Sequence, residues 1–295
     1  MDEIRTLGFL GLGVMGLPIC CNIMQRSGLR MLVHEPRREP RERVVAMGAA
    51  ACSAAELGAQ ADLAFTCLPG ETELRQALFG AEGLSHTLRR GTTLVDLSTA
   101  PVDFTRESAT ALAARGIDFA DAPIARTRQA AEDGTLSITV GATPEIFARI
   151  EPILRHAASD VTHCGPVGCG QVVKLMNNMV LVETVIALSD ARAIARRAGV
   201  EPTVLFAALA KGSADSFALR NHGMKAILPD AYPERAFSTD YALKDIAYAL
   251  RLARAAGVAA EGAELARRTL EASRAAGNAA AYWPALARVI DKDDC

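Results

Sequence analysis

The sequence lacks the cysteine patterns of disulfide-rich and zinc-binding proteins. Its seven cysteines are odd in number and scattered, and no two of them form a CxxC pair. Disulfide frameworks and structural zinc sites both depend on regularly spaced cysteines. We therefore expect reduced thiols at Cys20, Cys21, Cys52, Cys67, Cys164, Cys169 and Cys295.

Charge of one sign and histidine pairs are also scarce. The formal net charge is only −2, so the sequence has neither the basic excess of a nucleic-acid-binding protein nor a polyanionic tail. The five histidines include no i,i+4 pair and no HExxH motif. No metal site and no nucleic-acid partner are predicted.

Long apolar runs are missing as well. Runs such as that from Met179 to Ile186 are much shorter than the roughly 18 to 20 residues that a membrane span requires. The first residues include Asp2 and Glu3 where a signal peptide has basic residues. These features predict a cytoplasmic protein without a membrane partner.

A regular alternation of strand-like and helix-like segments fills the first half of the chain. Apolar runs such as TLGFL, MLVHE, LAFTCLP and TTLVDLS are separated by segments with helical periodicity. This alternation is typical of a parallel sheet built from βαβ units. IDFADAP and LSITVGA are predicted as two more strands on the far side of the same sheet, separated by a turn at Asp133-Gly134.

After Cys164 the strand-like segments stop. One long helical pattern runs from Gly170 to Gly199, which is predicted to be its C-cap, and every later segment is also predicted to be helical. With 295 residues, the chain is long enough for two domains. We predict an α/β domain over residues 1–165 and an all-α domain over residues 166–295, joined by the long helix.

The motif GxGxxG follows the first predicted strand and opens a helix. Gly11 permits a tight turn, Gly13 allows the backbone to approach a pyrophosphate, and Gly16 allows close packing of helix on sheet. In this βαβ setting the motif predicts a Rossmann domain that binds a dinucleotide. The loop that it defines also contains Leu12, Val14 and Met15.

Glu35 ends the second predicted strand, about 20 residues after the motif, where such domains contact the adenosine ribose. A carboxylate there accepts hydrogen bonds from the ribose hydroxyls and repels a 2′-phosphate, which favours NAD over NADP. Arg37 and Arg38 follow at once and could instead hold that phosphate. NAD is the predicted cofactor, with NADP as the alternative.

Six motifs follow one another along nearly the whole chain. They are GFLGLGVMGLPICCNI, CLP at Cys67 to Pro69, VDLST at Val95 to Thr99, GTL at Gly134 to Leu136, GCGQVVKLMNN at Gly168 to Asn178, and FSTDYALKD at Phe237 to Asp245. In sequence, order and spacing they resemble the motifs of the β-hydroxyacid dehydrogenases, which include 3-hydroxyisobutyrate dehydrogenase and tartronate semialdehyde reductase.

The resemblance implies residue roles and an assembly. Lys174 is expected to be the catalytic acid/base and Asn178 to orient the substrate. A homodimer or homotetramer acting on a small acid is also implied. The residues expected to border the cofactor and substrate are Cys67, Leu68, Pro69, Thr99 and Lys244.

The residues themselves agree with a role for Lys174. Lys174 and Asn178 are four positions apart on a predicted helix and so share one face. Their neighbours are so apolar that the helix is expected to be largely buried. A lysine in a dry cleft has a lowered pKa and can take the proton of a substrate alcohol. A buried ion pair or a side chain reaching solvent is the structural alternative.

One turn departs from the family pattern. Family members that handle hydroxy carboxylates usually have Ser-Gly-Gly after the strand IDFADAP, where this sequence has Ala125, Arg126 and Thr127. Arg-Thr at this turn is similar to the sulfolactaldehyde reductase branch, in which the arginine recognises a sulfonate. Arg126 is therefore a candidate anion-binding residue, assisted by Thr127 and Asn178, and a loop arginine on the surface is the alternative.

Two further functional classes are weighed against a dehydrogenase. Similar folds reduce C=N bonds as imine reductases, and some relatives are non-catalytic dinucleotide-binding proteins. Imine reductases commonly have other residues at the lysine position, and the inactive relatives lack the lysine. The presence of Lys174 favours the dehydrogenase hypothesis over both.

Overall fold

A computed structural model describes residues 3–234 and 236–291 of the protein. These residues form two compact units that part between Lys174 and Leu175. The first unit contains a mainly parallel sheet with helices, and the second is helical, which confirms the predicted fold class. The units part within the long helix, whereas the boundary predicted from sequence, between residues 165 and 166, precedes it.

The sheet of the first unit has nine strands among the described residues. They are β1 (Thr6–Leu10), β2 (Arg30–His34), β3 (Ala50–Ala51), β4 (Leu63–Thr66), β5 (Thr93–Asp96), β6 (Asp118–Asp121), β7 (Ile124–Ala125), β8 (Leu136–Gly141) and β9 (Ala158–Gly165). The helices between them are α1 (Gly16–Ser27), α2 (Arg38–Ala46), α3 (Ala54–Gln60), α4 (Glu71–Phe79), α5 (Val102–Ala113), α6 (Arg128–Asp133) and α7 (Pro144–Leu154), with a 3₁₀ turn at Leu84–His86.

The strand order is β3-β2-β1-β4-β5-β6-β8-β7, with β9 paired to β8. The strands from β3 to β6 run parallel, so their carboxyl ends lie at one edge of the sheet. IDFADAP and LSITVGA do extend this sheet, as predicted. β8 is nevertheless antiparallel to β6 and β7, and α6 with its C-cap Gly134 replaces the simple turn expected there.

Both faces of this sheet are covered by helices. The central strands are therefore apolar throughout, as in β4, where every residue is buried. One core cluster, which contains Phe9, Phe65 and Ile138, includes buried residues of α1 and α7, and the other, which contains Leu57 and Phe104, includes residues of α3, α4 and α5. Packing of helices on both faces of the sheet therefore fixes the positions of the strand ends.

The second unit is built from helices. They are α8 (Cys169–Arg197), which begins in the first unit, and then α9 (Pro202–Leu209), α10 (Thr239–Ala255), α11 (Glu261–Ser273) and α12 (Ala287–Ile290). π-helical segments at Leu219–Ile227 and Arg274–Asn278 and a 3₁₀ turn at Trp283–Leu286 complete it. Gly199 follows α8 with φ +86°, in agreement with its predicted role as a C-cap.

α8 is long and apolar enough to cross a membrane by length and composition alone, although polar residues interrupt its apolar runs. Long core helices of globular proteins meet the same criterion. Leu175, Val182 and Val185 of α8 are buried. Val173 and Val180 are 42% and 57% exposed, so the expectation that this helix is largely buried was wrong within the single chain.

Candidate active site

In the glycine loop between β1 and α1, the steric surroundings differ from one glycine to the next. Gly11 has φ +97°, and a Cβ there would lie 2.5 Å from the carbonyl oxygen of Cys67. A Cβ on Gly16 would collide with the carbonyl oxygen of Gly11. Nothing lies within 4 Å of a Cβ built on Gly13. The protein itself therefore does not require glycine at position 13, and the open space beside it is available to a ligand.

Glu35 lies directly after β2 and is 4% exposed. Its carboxylate accepts hydrogen bonds from the Leu12 N–H at 2.8 Å, from the Arg37 N–H at 3.0 Å, and from the Arg37 guanidinium at 2.8 and 2.9 Å. Burial alone raises the pKa of Glu35, but the hydrogen bonds from Arg37 and Leu12 outweigh it and hold the pKa at about 2. The side chain is ionised at neutral pH and joined to the glycine loop.

The two arginines considered as phosphate ligands are placed differently. Arg37 folds back onto Glu35, whereas Arg38 pairs with Glu42 one helical turn later on the surface. Both also line an open groove of about 670 Å³ that begins at Gly13 and Val14 and runs between α1 and α2. This groove places cationic side chains beside the glycine loop.

Buried hydrogen bonds connect the turns after β4 and β5. The Thr66 hydroxyl and the Ser98 N–H both donate to Asp96 Oδ1, at 2.8 and 3.0 Å. The Ser98 hydroxyl accepts a hydrogen bond from the Leu68 N–H at 2.9 Å. The turns that contain Cys67 to Pro69 and Thr99, all expected at the cofactor, are therefore fixed to each other.

The start of α8 is attached to the same edge of the sheet. Asp121 ends β6, and its carboxylate accepts hydrogen bonds from the N–H groups of Gly168 at 2.6 Å and Gln171 at 2.8 Å. Burial raises the pKa of Asp121 to about 7, against the lowering effect of these donors. The Gln171 side chain donates to the Ser98 carbonyl at 2.7 Å and accepts from the Ala100 N–H at 3.2 Å.

Lys174 follows Gln171 by one helical turn and is half-buried. The first unit thus brings together, at the carboxyl edge of its parallel strands, the glycine loop, the two fixed turns and the first turns of α8. Crevices at this edge are the usual ligand sites of open α/β sheets. Lys174, the expected acid/base, lies in these first turns of α8.

Asn178 belongs to the second unit and is 5% exposed. Its amide donates to Asp245 Oδ2 of α10 at 2.7 Å and its oxygen accepts from Asn177 at 3.0 Å. Asp245 Oδ1 in turn lies 3.3 Å from the Lys244 ammonium, which also lies over the rings of Tyr241 and Tyr248. Asn178 therefore has the contacts of a satisfied core amide.

The turn that departs from the family pattern has an unusual backbone. Arg126 has φ +86°, a conformation that favours glycine. Its guanidinium donates to the Thr135 carbonyl at 2.6 Å and the Ser159 hydroxyl at 2.7 Å, and it pairs with Asp160 at 2.6 Å. Thr127 caps α6 by accepting from the Ala130 N–H at 3.3 Å, and Ala125 pairs with Ser137 in the sheet.

Three buried polar residues were not predicted from the sequence, namely Asp121 and Gln171 in the first unit and Asp245 in the second. Each is 3% exposed or less. Asp121 and Gln171 stand in apolar stretches, where a polar side chain needs buried hydrogen-bond partners. A polar residue within an apolar stretch is visible in both IDFADAP and GCGQVVKLM. The hydrogen-bond partners of Asp121 and Gln171 are nevertheless 47 to 73 residues away and could not be identified without the fold.

Comparison with known protein families and structures bears on both units. A model of the NAD binding domain of 6-phosphogluconate dehydrogenase matches residues 6–165. A second model, described as NAD-binding of NADP-dependent 3-hydroxyisobutyrate dehydrogenase, matches residues 168–290.

Relatives with named activities align along most of the chain. The 2-(hydroxymethyl)glutarate dehydrogenase of Eubacterium barkeri is 31% identical over 278 residues, covering 94% of this chain and 92% of the relative. The 2-hydroxy-3-oxopropionate reductase of Escherichia coli (strain K12) is 31% identical, with 84% of each chain covered. The structure of Mycobacterium tuberculosis 3-hydroxyisobutyrate dehydrogenase with L-serine superposes with a TM-score of 0.87, at 28% identity, covering 98% of this chain and 99% of that one. The chain therefore belongs to the β-hydroxyacid dehydrogenase family and is an NAD(P)-dependent oxidoreductase.

Proposed function

We propose that this protein interconverts a short β-hydroxy carboxylate and its semialdehyde, with Lys174 as the general acid/base. The names of the three relatives share one chemical feature, a hydroxymethyl or aldehyde group on the carbon next to a carboxyl group. The observation that carries the proposal is the position of Lys174, one turn beyond a helix start that is hydrogen-bonded to the carboxyl edge of the sheet.

The proposed chemistry needs one proton acceptor. The bound nicotinamide supplies the hydride acceptor, or the hydride donor in the reducing direction. In the neutral form, the Lys174 amine takes the proton of the substrate hydroxyl, and in the reverse direction its ammonium group returns that proton to the aldehyde oxygen. Asn178 orients the substrate from the next turn of α8, while its amide remains bonded to Asp245.

The residues of the first unit fit a dinucleotide. The open space at Gly13 and the N-terminus of α1 suit a pyrophosphate. The ionised Glu35 suits the ribose hydroxyls, which would take the place of hydrogen bonds from Arg37, because Leu12 and Arg37 already occupy the four lone-pair positions of the carboxylate. A negative charge here disfavours a 2′-phosphate, so we propose NAD as the preferred cofactor, with NADP as the alternative.

The contacts of Arg126 do not favour the sulfonate hypothesis. To bind a substrate anion, its guanidinium would have to leave Thr135, Ser159 and Asp160. We therefore propose a carboxylate substrate. Imine reduction and a purely cofactor-binding role are less favoured because the chain has Lys174 at the expected position.

Substitution of Lys174 by methionine tests the proposed acid/base. Methionine preserves much of the side-chain length but has no proton to exchange. We expect Lys174→Met to lower kcat by about 10²-fold or more, as for loss of general acid/base catalysis, with NADH affinity nearly unchanged. Lys211→Met, at an exposed position, is the matched control. Equal turnover in both variants would exclude Lys174 as the acid/base.

A substrate panel tests the acid group. Initial rates of NADH oxidation with 2-hydroxy-3-oxopropionate, methylmalonate semialdehyde, succinate semialdehyde and sulfolactaldehyde are measured for the wild type and Arg126→Ala. We expect carboxylated substrates to be preferred in both proteins. A sulfonate preference that disappears in Arg126→Ala would instead make Arg126 the anion-binding residue.

We also propose a cytoplasmic homodimer or homotetramer. Exposed apolar side chains of the second unit support self-association, among them Val180, Ile194 and Val204, which are 57%, 68% and 61% exposed. Light scattering coupled to size-exclusion chromatography measures the mass directly. A monomer at micromolar concentration would contradict this assembly.

A further inference from the structure

Asp121 connects the end of a strand to the start of a helix that lies far away in the sequence. The carboxylate is fully buried, and its two oxygens accept from Gly168 and Gln171, which are 47 and 50 residues further along the chain. The first N–H groups of a helix have no partner within the helix, and its N-terminus carries partial positive charge. In its ionised form, Asp121 satisfies both requirements of α8.

The neighbouring backbone packs closely around this carboxylate, with no room for a side chain at Gly170 or Gly141. A Cβ on Gly170 would lie 2.5 Å from the Thr139 carbonyl oxygen and 2.8 Å from Asp121 Oδ2. A Cβ on Gly141 of β8 would collide with Asp121 Oδ1. The Thr139 hydroxyl also donates to the Gly170 carbonyl at 3.1 Å. The first turn of α8 therefore cannot slide or rotate against β6 and β8 without breaking several buried contacts.

Gln171 connects the same turn of α8 to the cofactor side of the sheet. Its fully buried side chain donates to the Ser98 carbonyl and accepts from the Ala100 N–H. The Ser98 hydroxyl in turn accepts from the Leu68 N–H. Lys174 is three residues after Gln171, which corresponds to about 4.5 Å along a helix. The position of Lys174 along the helix axis is therefore fixed relative to the turns after β4 and β5.

We propose that Asp121 and Gln171 are positioning residues, which hold α8 so that Lys174 meets the substrate hydroxyl at the carboxyl edge of the sheet. This inference rests on the proposed role of Lys174. The two residues do not touch the reacting atoms in this proposal. Displacement of a catalytic group by about 1 Å can cost about 10² in rate, so loosening this attachment should affect turnover much more than cofactor binding.

Two variants and a matched control test the proposal in the full-length protein. Asp121→Asn retains the shape but turns a donor toward a backbone N–H, and Gln171→Met retains the length but loses both side-chain hydrogen bonds. Asp118→Asn is the control, because Asp118 lies at the other end of the same strand. We expect kcat to fall 10- to 100-fold, on the order given by misplacement of a catalytic group, in the two variants only. The Kd for NADH should stay within about twofold in Asp121→Asn, since Gly13 and Glu35 are untouched. In Gln171→Met the fall in kcat should exceed any rise in the Kd for NADH, because Gln171 also holds the turn after β5.

A double-mutant cycle separates this inference from the proposed function. If Asp121 acts through Lys174, adding Asp121→Asn to Lys174→Met should leave the residual rate unchanged. Full activity of Lys174→Met would overturn the proposed function itself. A normal kcat in Asp121→Asn and Gln171→Met, with Lys174→Met inactive, would overturn only the positioning role.

Folding of the variants is checked by circular dichroism and by the Kd for NADH. If Asp121→Asn does not fold, Gln171→Met and the isosteric Thr139→Val decide the outcome. Thr139→Val removes the hydroxyl that donates to the carbonyls of Gly170 and Pro123. A fall in kcat that only matches the loss of folded protein would show a purely structural role and overturn the proposal.

Discussion

The pairing of Glu35 with Arg37 makes a quantitative prediction for stability. The pKa of Glu35 is about 2, compared with an ordinary value of 4.5. One pKa unit corresponds to about 1.4 kcal/mol, so the difference amounts to about 3 kcal/mol of favourable interaction in the folded state. Because the Arg37 side chain is 61% exposed, solvent screening reduces this. We expect Glu35→Gln to lower the free energy of unfolding at pH 7 by about 2 kcal/mol.

The sign of the pH dependence follows from the lowered pKa. The contribution of Glu35 is complete above pH 4.5 and is lost as the pH falls toward 2, because the carboxylate becomes protonated in the folded state. The difference between wild type and Glu35→Gln should therefore shrink to about half at pH 3. A neutral glutamine has no such titration.

Urea unfolding followed by far-ultraviolet circular dichroism measures this difference. Arg38→Gln is the matched control, because the pair of Arg38 with Glu42 is on the surface, with side chains 81% and 59% exposed. Loss of such an exposed pair should cost about 0.5 kcal/mol or less. In the Glu35→Gln background, Arg37→Ala should cost little more. A loss no larger than that of the control, or one equally large at pH 3, would refute the reasoning.

Three further predictions concern other parts of the protein. Gly13→Ala should weaken NADH binding about 10-fold with little loss of stability. Gly16→Ala, whose Cβ meets the Gly11 carbonyl, should instead destabilise the fold by about 1–3 kcal/mol. Titration calorimetry measures NADH binding and urea unfolding measures stability, and the same effects in both variants would contradict the assigned roles. Burial lowers the pKa of His222 from 6.5 to about 4, so the second unit should lose about 2 kcal/mol as the pH falls from 7.5 to 5. Unfolding followed by Trp283 fluorescence tests this, and His222→Gln should remove the dependence. Asn178→Ala leaves the buried Asp245 without its amide donor and should lower the free energy of unfolding by about 1–3 kcal/mol in the same assay. An unchanged unfolding midpoint would show that Asp245 finds another partner.

The sequence was most informative where a local pattern decides the structure. The glycine loop was recognisable because GxGxxG between a strand and a helix has few other uses, and α8 was predicted over nearly its full length from its periodicity and Gly199. Short elements were harder to predict. α3, α4, α7 and β9 were not anticipated, because segments of 7 to 11 residues give weak patterns.

The side chain of Arg126 illustrates what residue type alone could not determine. Its position beside an expected acid-group pocket suggested anion binding, and the sequence contains no indication that Ser159 and Asp160 would lie within reach. Their proximity depends on the pairing of β8 with β9, which is a property of the sheet. An arginine with three acceptors nearby has a structural reason for its conformation.

By itself, the sequence determined the two-part architecture, the dinucleotide loop and the family, because each depends on local periodicity or on motifs that are contiguous in the chain. Only the tertiary structure decided that β8 runs antiparallel, that Arg37 closes onto Glu35, and that Asp121 and Gln171 anchor the start of α8. These last contacts join residues far apart in sequence, and a buried polar group finds its partner only when packing brings the two together.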